Sequence, residues 1–177
     1  MLIKLIAVVS NDGFIARYSG DIPKNWSSKE EQNYFLNDMQ ECHWSVMGRK
    51  THDLSYKANK NRIIFSKSIN NYKYINKSHI LFNPENVSFN QIIKLIKPVK
   101  TICILGGTNI YDYFYENHLI NEIIITIEPK KFNKGLRLFS KIEWRQFPSI
   151  FVNFGFKIKK DIIINDKGTR YFHLLKN

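Results

Sequence analysis

Short apolar runs rich in β-branched residues alternate along this chain with segments whose apolar residues recur at helical spacing. This alternation limits the possible folds more than any other feature. Ile3–Val9 is a nearly continuous apolar run with one lysine, typical of a strand covered on both faces. Thr101–Leu105 is a similar run, closed by two glycines. Strands that alternate with helices predict an α/β fold with a mostly parallel central sheet and helices on both faces.

Helix-capping residues and the spacing of apolar residues predict the other helices and strands. Ser27 or Ser28, followed by Glu30 and Glu31, has the pattern of a helix N-cap with acids in the first turn, and this helix is expected to reach Met39. The other predicted helices are Phe89–Ile96 and about Asn109–Asn117. The other predicted strands before the C-terminal part are Trp44–Met47, Arg62–Ser66, His79–Phe82 and Glu122–Ile127.

The C-terminal part has a different pattern. Phe151–Ile158 and Thr169–Leu175 are expected to be antiparallel strands, joined near Asn165–Gly168 by a hairpin signal. The polar stretch from Ser10 to Asn25 is expected to be a long loop. Because the chain has no repeat and no flexible linker, residues 1–177 are predicted to form a single domain with an antiparallel C-terminal hairpin.

Composition argues against several classes of protein. The net charge is +12, but the lysines are scattered and accompany no nucleic-acid-binding motif, so nucleic-acid binding is not expected, and a smaller anionic ligand such as a phosphorylated cofactor stays open. Charges interrupt every apolar run well before the roughly 18 residues of a membrane span, and a cytoplasmic location is expected. Cys42, Cys103 and the five histidines have no metal-ligand spacing, so no metal is expected.

Two turns that contain glycine follow predicted strands and are candidate ligand sites. Val46–Thr51 places Gly48, Arg49 and Lys50 after a strand, where a helix N-terminus and two cations can bind a phosphate. Ile104–Tyr111 has the same arrangement, and its two glycines let a ligand approach the backbone. The alternative interpretation is an ordinary turn with solvated cations, and neither turn is the GxGxxG motif of Rossmann sites.

Glu31 is a candidate inward-facing carboxylate. It precedes Phe35 by four residues and shares a helix face with it, whereas Glu30 is displaced by about 100° and is expected to be solvated. Burial beside Phe35 and Trp26 would raise the pKa of Glu31, and such an acid can hold an amidine-like substrate and help to deliver a proton. The alternative is a pair of first-turn acids favoured only by the helix dipole.

Taken in order, these segments resemble the dihydrofolate reductase superfamily, which includes the reductase domain of bacterial riboflavin biosynthesis. The segments that carry the resemblance are Leu5–Val9, Asn11–Ala16, Trp26–Phe35, Val46–Thr51, Arg62–Ser66, Leu105–Tyr111 and Ile124–Ile127. The resemblance implies a dihydrofolate reductase-like fold. It also implies a site in which a nicotinamide cofactor meets a pterin ring.

The resemblance implies roles around the substrate. Glu31 corresponds to the active-site carboxylate, and Thr126 to a strand threonine that hydrogen-bonds the acid and the pterin amino group. Tyr111 corresponds to a ring near the nicotinamide, and Trp26 completes the set of expected catalytic residues. The expected substrate-binding residues are Ala7, Val8, Phe35, Lys60 and Leu105.

The resemblance also implies a site for NADPH. The expected cofactor-binding residues belong to a mobile loop, the two glycine turns and the strand after the first turn, and they are Ile15, Ala16, Gly48, Arg49, Lys50, Thr51, Ser66, Lys67, Gly106, Gly107, Thr108, Asn109 and Ile110. Ser66 and Lys67 are expected near the adenosine 2′-phosphate. Gly106 and Gly107 correspond to a pair linked by an unusual cis peptide bond.

Three features depart from the folate-reducing pattern. The loop between Ile15 and Trp26 is longer than in compact bacterial enzymes. Lys60 stands where an arginine is expected to clamp the folate glutamate, and lysine is a point charge rather than a bidentate fork. Leu119–Ile123 and Glu128–Phe139 are closer to the riboflavin-type reductases.

The expected activity is NADPH-dependent reduction of 7,8-dihydrofolate to tetrahydrofolate, a step of one-carbon metabolism, with hydride transfer to C6 of the pterin and protonation of N5. The first alternative is NADPH-dependent reduction of a ribosylaminopyrimidine phosphate in riboflavin biosynthesis. Glu31 and Thr126, at folate-type positions, favour the first activity over this alternative. The second alternative is a basic nucleic-acid-binding protein without catalysis, which would leave the cofactor-like motifs unused.

Overall fold

The computed structural model describes the whole chain, from Met1 to Asn177. Its strands are β1 (Leu2–Ser10), β2 (Phe14–Ala16), β3 (Trp44–Gly48), β4 (Arg62–Phe65), β5 (Tyr72–Tyr74), β6 (His79–Phe82), β7 (Thr101–Ile104), β8 (Glu122–Glu128), β9 (Leu136–Arg137), β10 (Phe156–Ile163) and β11 (Arg170–Lys176). Its α-helices are α1 (Lys29–Asp38), α2 (Arg49–Leu54), α3 (Phe89–Leu95), α4 (Thr108–Glu116) and α5 (Ser149–Asn153). None of these helices combines the length and the apolar character needed to cross a membrane.

One sheet contains nine of the strands, in the order β10-β11-β8-β1-β7-β3-β4-β6-β5. The six strands from β8 to β6 in that order are parallel to one another. β5 is antiparallel at one edge, and at the other edge β11 is antiparallel to both β8 and β10. The prediction of a mostly parallel sheet with an antiparallel C-terminal hairpin is therefore confirmed. β2 and β9 form a separate two-stranded sheet.

The two faces of the large sheet differ in polarity. On one face, alternate residues of β1 such as Leu5 and Val9 belong to an apolar cluster of 28 buried residues that includes side chains of α3, α4 and α5. On the other face, which α1 covers, the corresponding cluster has only 4 buried residues, and they are Ile6, Cys103, Ile124 and Tyr171. Because stabilisation by burial scales with apolar area, the α3/α4 face contributes most of it.

Buried polar side chains occupy much of the α1 face. Lys4 on β1 and Glu122 on β8 are both buried, and their charged groups are 3.3 Å apart. Further along β8, the side chains of Thr126 and Glu128 point to the same face of the sheet as that of Glu122, and they are buried as well. Each successive step of two residues on a strand returns to the same face, so these groups form a polar row under α1.

The C-terminal hairpin begins later than predicted. Ser149–Asn153 is helix α5 and buries Phe151 in the apolar cluster. Gly155 then has φ of +85°, and β10 starts at Phe156. The predicted strand over Phe151–Ile158 is therefore wrong for residues 151–155 and correct for residues 156–158, because a short apolar run fits one turn of buried helix as well as a strand. The stretch predicted as a loop from residue 10 to residue 25 contains β2, which pairs with β9.

Candidate active site

Many of the predicted site residues lie near the carboxyl ends of the central strands. β7 lies between β1 and β3 in the sheet, although it follows both of them in the chain. The connection after β1 leads to α1 on the polar face, and the connection after β7 leads to α4 on the apolar face. Open α/β sheets bind ligands in the crevice between connections that diverge in this way. Val8 of β1 and Leu105, which follows β7, lie at this crevice.

The two glycine turns are adjacent. The Gly48 N–H donates to the Gly106 carbonyl at 2.9 Å, and the open side of Gly48 faces Ile110. Gly48 is the N-cap residue of α2 and Gly107 is the N-cap residue of α4, so neither helix has a side-chain cap. By contrast, serines cap α1 and α3. Uncapped first-turn N–H groups are suited to bind an anion, because they and the helix dipole both favour negative charge.

Position 106 accommodates only glycine, because of its backbone conformation and a neighbouring ring. Its φ is +85°, and a Cβ at this position would lie 2.5 Å from the ring of Tyr111. That ring is buried, and its hydroxyl donates to the Ile6 carbonyl at 2.9 Å. The peptide bond between Gly106 and Gly107 is cis, as the resemblance implied.

The cations expected to bind phosphates have different surroundings. Arg49 donates to the Ser68 hydroxyl at 2.8 Å, and the hydroxyls of Ser68 and Ser66 are 2.8 Å apart. These three side chains link the start of α2 to the end of β4 and form one polar cluster. The ammonium of Lys67, which was expected near the same phosphate, contacts the exposed Glu85 instead.

The loop that was expected to close over the cofactor lies against the second glycine turn. Ile15 of β2 lies opposite Gly107, with its Cδ1 3.8 Å from the position of a Gly107 Cβ. The neighbouring Ala16 is buried and pairs with β9. Gly135 makes this pairing possible, because a Cβ on it would lie 2.1 Å from the Ala16 carbonyl oxygen.

Further hydrogen bonds connect this loop and β9 to the helix N-termini. Lys50 donates to the Ser19 hydroxyl at 3.2 Å. The Thr108 hydroxyl donates to the Arg137 carbonyl of β9. Thr51 is half-buried and Asn109 is exposed at the surface. The predicted cofactor residues of α2 and α4 therefore surround one edge of the crevice together with the loop.

Glu31 lies on the inner face of α1. It is only 4% exposed, and its backbone N–H donates to the hydroxyl of the N-cap Ser28. Burial raises the pKa of Glu31 to about 7, and the charges of Glu128 and Asp38 add to the rise. The predicted inward orientation of Glu31 is confirmed, and Glu30 is exposed as expected.

Two buried polar atoms next to the start of α1 have no hydrogen-bond partner, namely Trp26 Nε1 and Ser27 Oγ. Trp26 is 4% exposed and packs edge-on against Phe132 at a centroid distance of 4.9 Å. Buried polar groups are almost always hydrogen-bonded. The two unpartnered atoms therefore indicate a place before the start of α1 where a polar ligand or a water completes the hydrogen bonding.

The other residues expected to bind the substrate lie in different parts of the structure. Phe35 and Leu105 are partly buried on the α1 face, against the same small cluster. Thr126 is buried on that face but makes no hydrogen bond to Glu31. Ala7 has its side chain in the apolar cluster of the opposite face, which leaves its backbone for the crevice. Lys60 lies in an exposed loop after α2.

Three polar residues of the site were missed by the sequence analysis. Glu128 lies two residues after Thr126 on β8, so the period of a strand could have placed it on the same face. Ser27 was considered only as a helix cap, although its hydroxyl lies beside Glu31. Ser68 follows a predicted strand without a recognisable motif, and its contact with Arg49 depends on the tertiary fold.

Comparisons with known proteins address the family and the fold. A model of the dihydrofolate reductase family matches residues 2–163. A search of curated proteins found no match. A Shewanella sp. PV-4 protein assigned to riboflavin biosynthesis is similar in structure, with a TM-score of 0.72 at 19% identity over 100% of this chain and 99% of that one. Dihydrofolate reductase from Enterococcus faecalis, complexed with NADP(H) and RAB-propyl, has a TM-score of 0.68 at 16% identity over 99% and 96%. The predicted fold is confirmed.

Proposed function

This chain belongs to the dihydrofolate reductase family, and from that premise we propose that it uses NADPH to reduce 7,8-dihydrofolate to tetrahydrofolate. The observation that supports this most strongly is the environment of Glu31. A buried acid whose pKa is raised to about 7 lies in the first turn of α1, and the two residues before the N-cap, Trp26 and Ser27, each have a buried polar atom without a partner. A pterin, with its ring nitrogens and amino group, has the polar groups that such a site would bind.

The residues around the crevice fit a phosphorylated dinucleotide. α2 and α4 offer uncapped N-termini side by side, and Arg49 with Ser66 and Ser68 offers a cation and two hydroxyls for one further phosphate. No acidic side chain contacts this cluster to favour a ribose hydroxyl instead. Bound there, NADPH would supply the hydride.

The protein side of the reaction concerns orientation and one proton. In this proposal Glu31 binds the pterin through its carboxyl group and holds the proton that reaches N5 through water. Phe35 packs against the ring, and Ile15 of the loop excludes water from the reacting atoms. Trp26 Nε1 and Ser27 Oγ orient the water or the ring edge beside the carboxyl group.

The test is NADPH oxidation by the purified protein with dihydrofolate and, separately, with the ribosylaminopyrimidine phosphate. We expect activity with dihydrofolate, and activity with the pyrimidine alone would reject the proposal. Two observations favour the pyrimidine as a second candidate. They are the similarity to the Shewanella protein assigned to riboflavin biosynthesis and the lysine at position 60 in place of a bidentate arginine.

Replacement of Arg49 tests the assignment of the extra phosphate. The native protein is expected to prefer NADPH to NADH by tenfold or more in kcat/KM, because a charge-assisted hydrogen bond contributes about 1.5–3 kcal/mol. Arg49→Gln should reduce that preference about tenfold through NADPH alone. The exposed Arg145→Gln is the control for a general loss of positive charge. Equal kcat/KM for both cofactors in the native protein would contradict the assignment.

Replacement of Lys60 tests recognition of the substrate tail. Lys60→Ala should raise the KM for dihydrofolate about fivefold and leave kcat nearly unchanged, because the tail carboxylate is remote from the reacting carbons and an exposed ion pair contributes about 1 kcal/mol. Lys57→Ala, in the same exposed loop, is the matched control. A KM that does not change in Lys60→Ala would mean that Lys60 does not bind the tail.

A further inference from the structure

Glu128, the last residue of β8, joins three parts of the chain through its side chain. It is 2% exposed. One carboxylate oxygen accepts a hydrogen bond from the Ser28 N–H at 2.7 Å, and the other accepts one from the Thr169 hydroxyl at 3.0 Å. Ser28 is the N-cap of α1, and Thr169 directly precedes β11. The carboxylate therefore fixes the start of α1 against the end of the central sheet and the C-terminal hairpin.

The charge of Glu128 has no cationic partner. None of the ion pairs of the protein includes it, and the nearby Lys130 donates its ammonium to the Trp26 carbonyl. A buried carboxylate without a cation is costly, and its two hydrogen bonds recover only part of that cost. A neutral amide could still accept from the Ser28 N–H, although more weakly, but it would turn an NH2 group towards the Thr169 hydroxyl. A carboxylate is the side chain that can accept both hydrogen bonds, so a negative charge accompanies this arrangement.

The charge acts on Glu31, which lies in the same first turn. Glu31 donates its backbone N–H to the Ser28 hydroxyl while Glu128 accepts the Ser28 backbone N–H, so the two acids flank one residue. The groups that act on the Glu31 carboxyl are Glu128 from β8, Asp38 from the far end of α1 and the Ser27 hydroxyl. Like charges oppose each other's ionisation, so a fixed negative charge next to Glu31 favours its neutral form.

We propose that Glu128 is a positioning residue for Glu31: the Glu128 carboxylate fixes the first turn of α1 and adds a negative charge that disfavours ionisation of the buried Glu31 carboxyl group. The inference rests on the proposed function, in which Glu31 handles the proton. It assigns the two buried acids different roles. Glu128 has both oxygens bound by the protein, whereas Glu31 keeps its carboxyl free for a ligand.

The experiment is a titration of Glu31 in the ligand-free protein, followed by carbon-13 NMR of the carboxyl carbons. The Glu31 signal is assigned by its loss in Glu31→Gln. In Glu128→Gln the amide oxygen still accepts from the Ser28 N–H, so the contact is kept and the charge is removed. We expect the Glu31 midpoint to fall by about 0.5–1 pH unit, and the pH profile of dihydrofolate reduction to shift in the same direction.

Thr169→Val is the control, because it removes one hydrogen bond of Glu128 and keeps the charge. Its Glu31 midpoint should stay within about 0.2 pH unit of the native value. An unchanged midpoint in Glu128→Gln, or an equal shift in Thr169→Val, would overturn the proposal. A shifted midpoint without any dihydrofolate reduction would support the positioning role and reject the proposed function.

A measurement on the native protein covers the case in which Glu128→Gln does not fold. If the two carboxyl groups interact, the Glu128 signal should show a second inflection at the pH where Glu31 titrates. The inflection should disappear in Glu31→Gln, which removes the titrating group and leaves Glu128 in place. A Glu128 signal without this inflection in the native protein would also overturn the proposal.

Discussion

Glu31→Gln should slow dihydrofolate reduction by about 10²–10⁴-fold at neutral pH while leaving the fold intact, because an amide can neither ionise nor favour protonation of N5. Burial raises the pKa of Glu31 to about 7, so native kcat/KM should fall above that pH, and this inflection should be absent in the variant. The difference in activity between Glu31→Gln and the native protein should become smaller at low pH, where solvent protonates the substrate. Steady-state kinetics across pH measure all three effects.

The same substitution should make the protein more stable at alkaline pH. The folded-state pKa of Glu31, about 7, lies above its ordinary value of 4.5. Its neutral form is therefore favoured by folding, and native stability falls as the pH rises between these values. Glu31→Gln does not incur this loss. Urea denaturation should give the variant an advantage on the order of 2–3 kcal/mol at about pH 8, and little advantage at about pH 4.

Glu30→Gln is the matched control for both measurements. Glu30 is the preceding residue of the same helix turn, but its side chain is exposed and contacts only Asn165 at 3.4 Å. Its kinetics and its stability should stay close to those of the native protein. Full activity of Glu31→Gln at neutral pH, or a large loss of activity in Glu30→Gln, would remove the main support for the proposed reduction of dihydrofolate.

Gly106→Ala should destabilise the protein by about 3 kcal/mol or more. An alanine there must adopt φ of +85°, and its Cβ would lie 2.5 Å from a Tyr111 ring that cannot move aside. That ring is 3% exposed and is held by its hydrogen bond to the Ile6 carbonyl. Because Gly106 also accepts the Gly48 N–H, a shift of this turn should weaken NADPH binding as well. Denaturation and cofactor titration measure the two effects.

Gly155→Ala separates the two causes of that loss. Gly155 has the same φ of +85°, but a Cβ on it would meet nothing within 4 Å. Only the conformational strain remains, so the expected loss is about 1 kcal/mol. Equal losses in the two variants would show that the Tyr111 ring yields, and that contact with it does not require glycine.

Local patterns were sufficient to predict much of the sheet. β1, β3 and β7 are short apolar runs that end at polar or glycine residues, and each was predicted to within about two residues. β5 and β9 were missed. Tyr72–Tyr74 is exposed throughout, and Leu136–Arg137 is only two residues long, so neither has the burial pattern by which a strand is recognised. Their pairing depends on partners distant in the chain.

The positions of site residues could be predicted where they depend on helical spacing or on a glycine turn after a strand. The inward face of Glu31 follows from its spacing to Phe35, and the adjacent glycine turns follow from the rule for strand ends. The contact between Arg49 and Ser68 and that between Glu128 and Ser28 were not predictable in this way. The first joins residues 19 apart and the second joins residues 100 apart, and only the assembled fold brings them together.

The unequal faces of the sheet separate the residues that contribute most to stability from the residues of the proposed substrate site. The large apolar cluster lies against α3, α4 and α5, whereas the crevice under α1 has few buried apolar side chains to lose. Substitutions of the few apolar side chains under α1 therefore reduce stability less than substitutions in the large cluster, while they still change the shape of the crevice. A protein built in this way can evolve towards a new substrate before it risks unfolding. One architecture accordingly matches both a dihydrofolate reductase and a protein assigned to riboflavin biosynthesis.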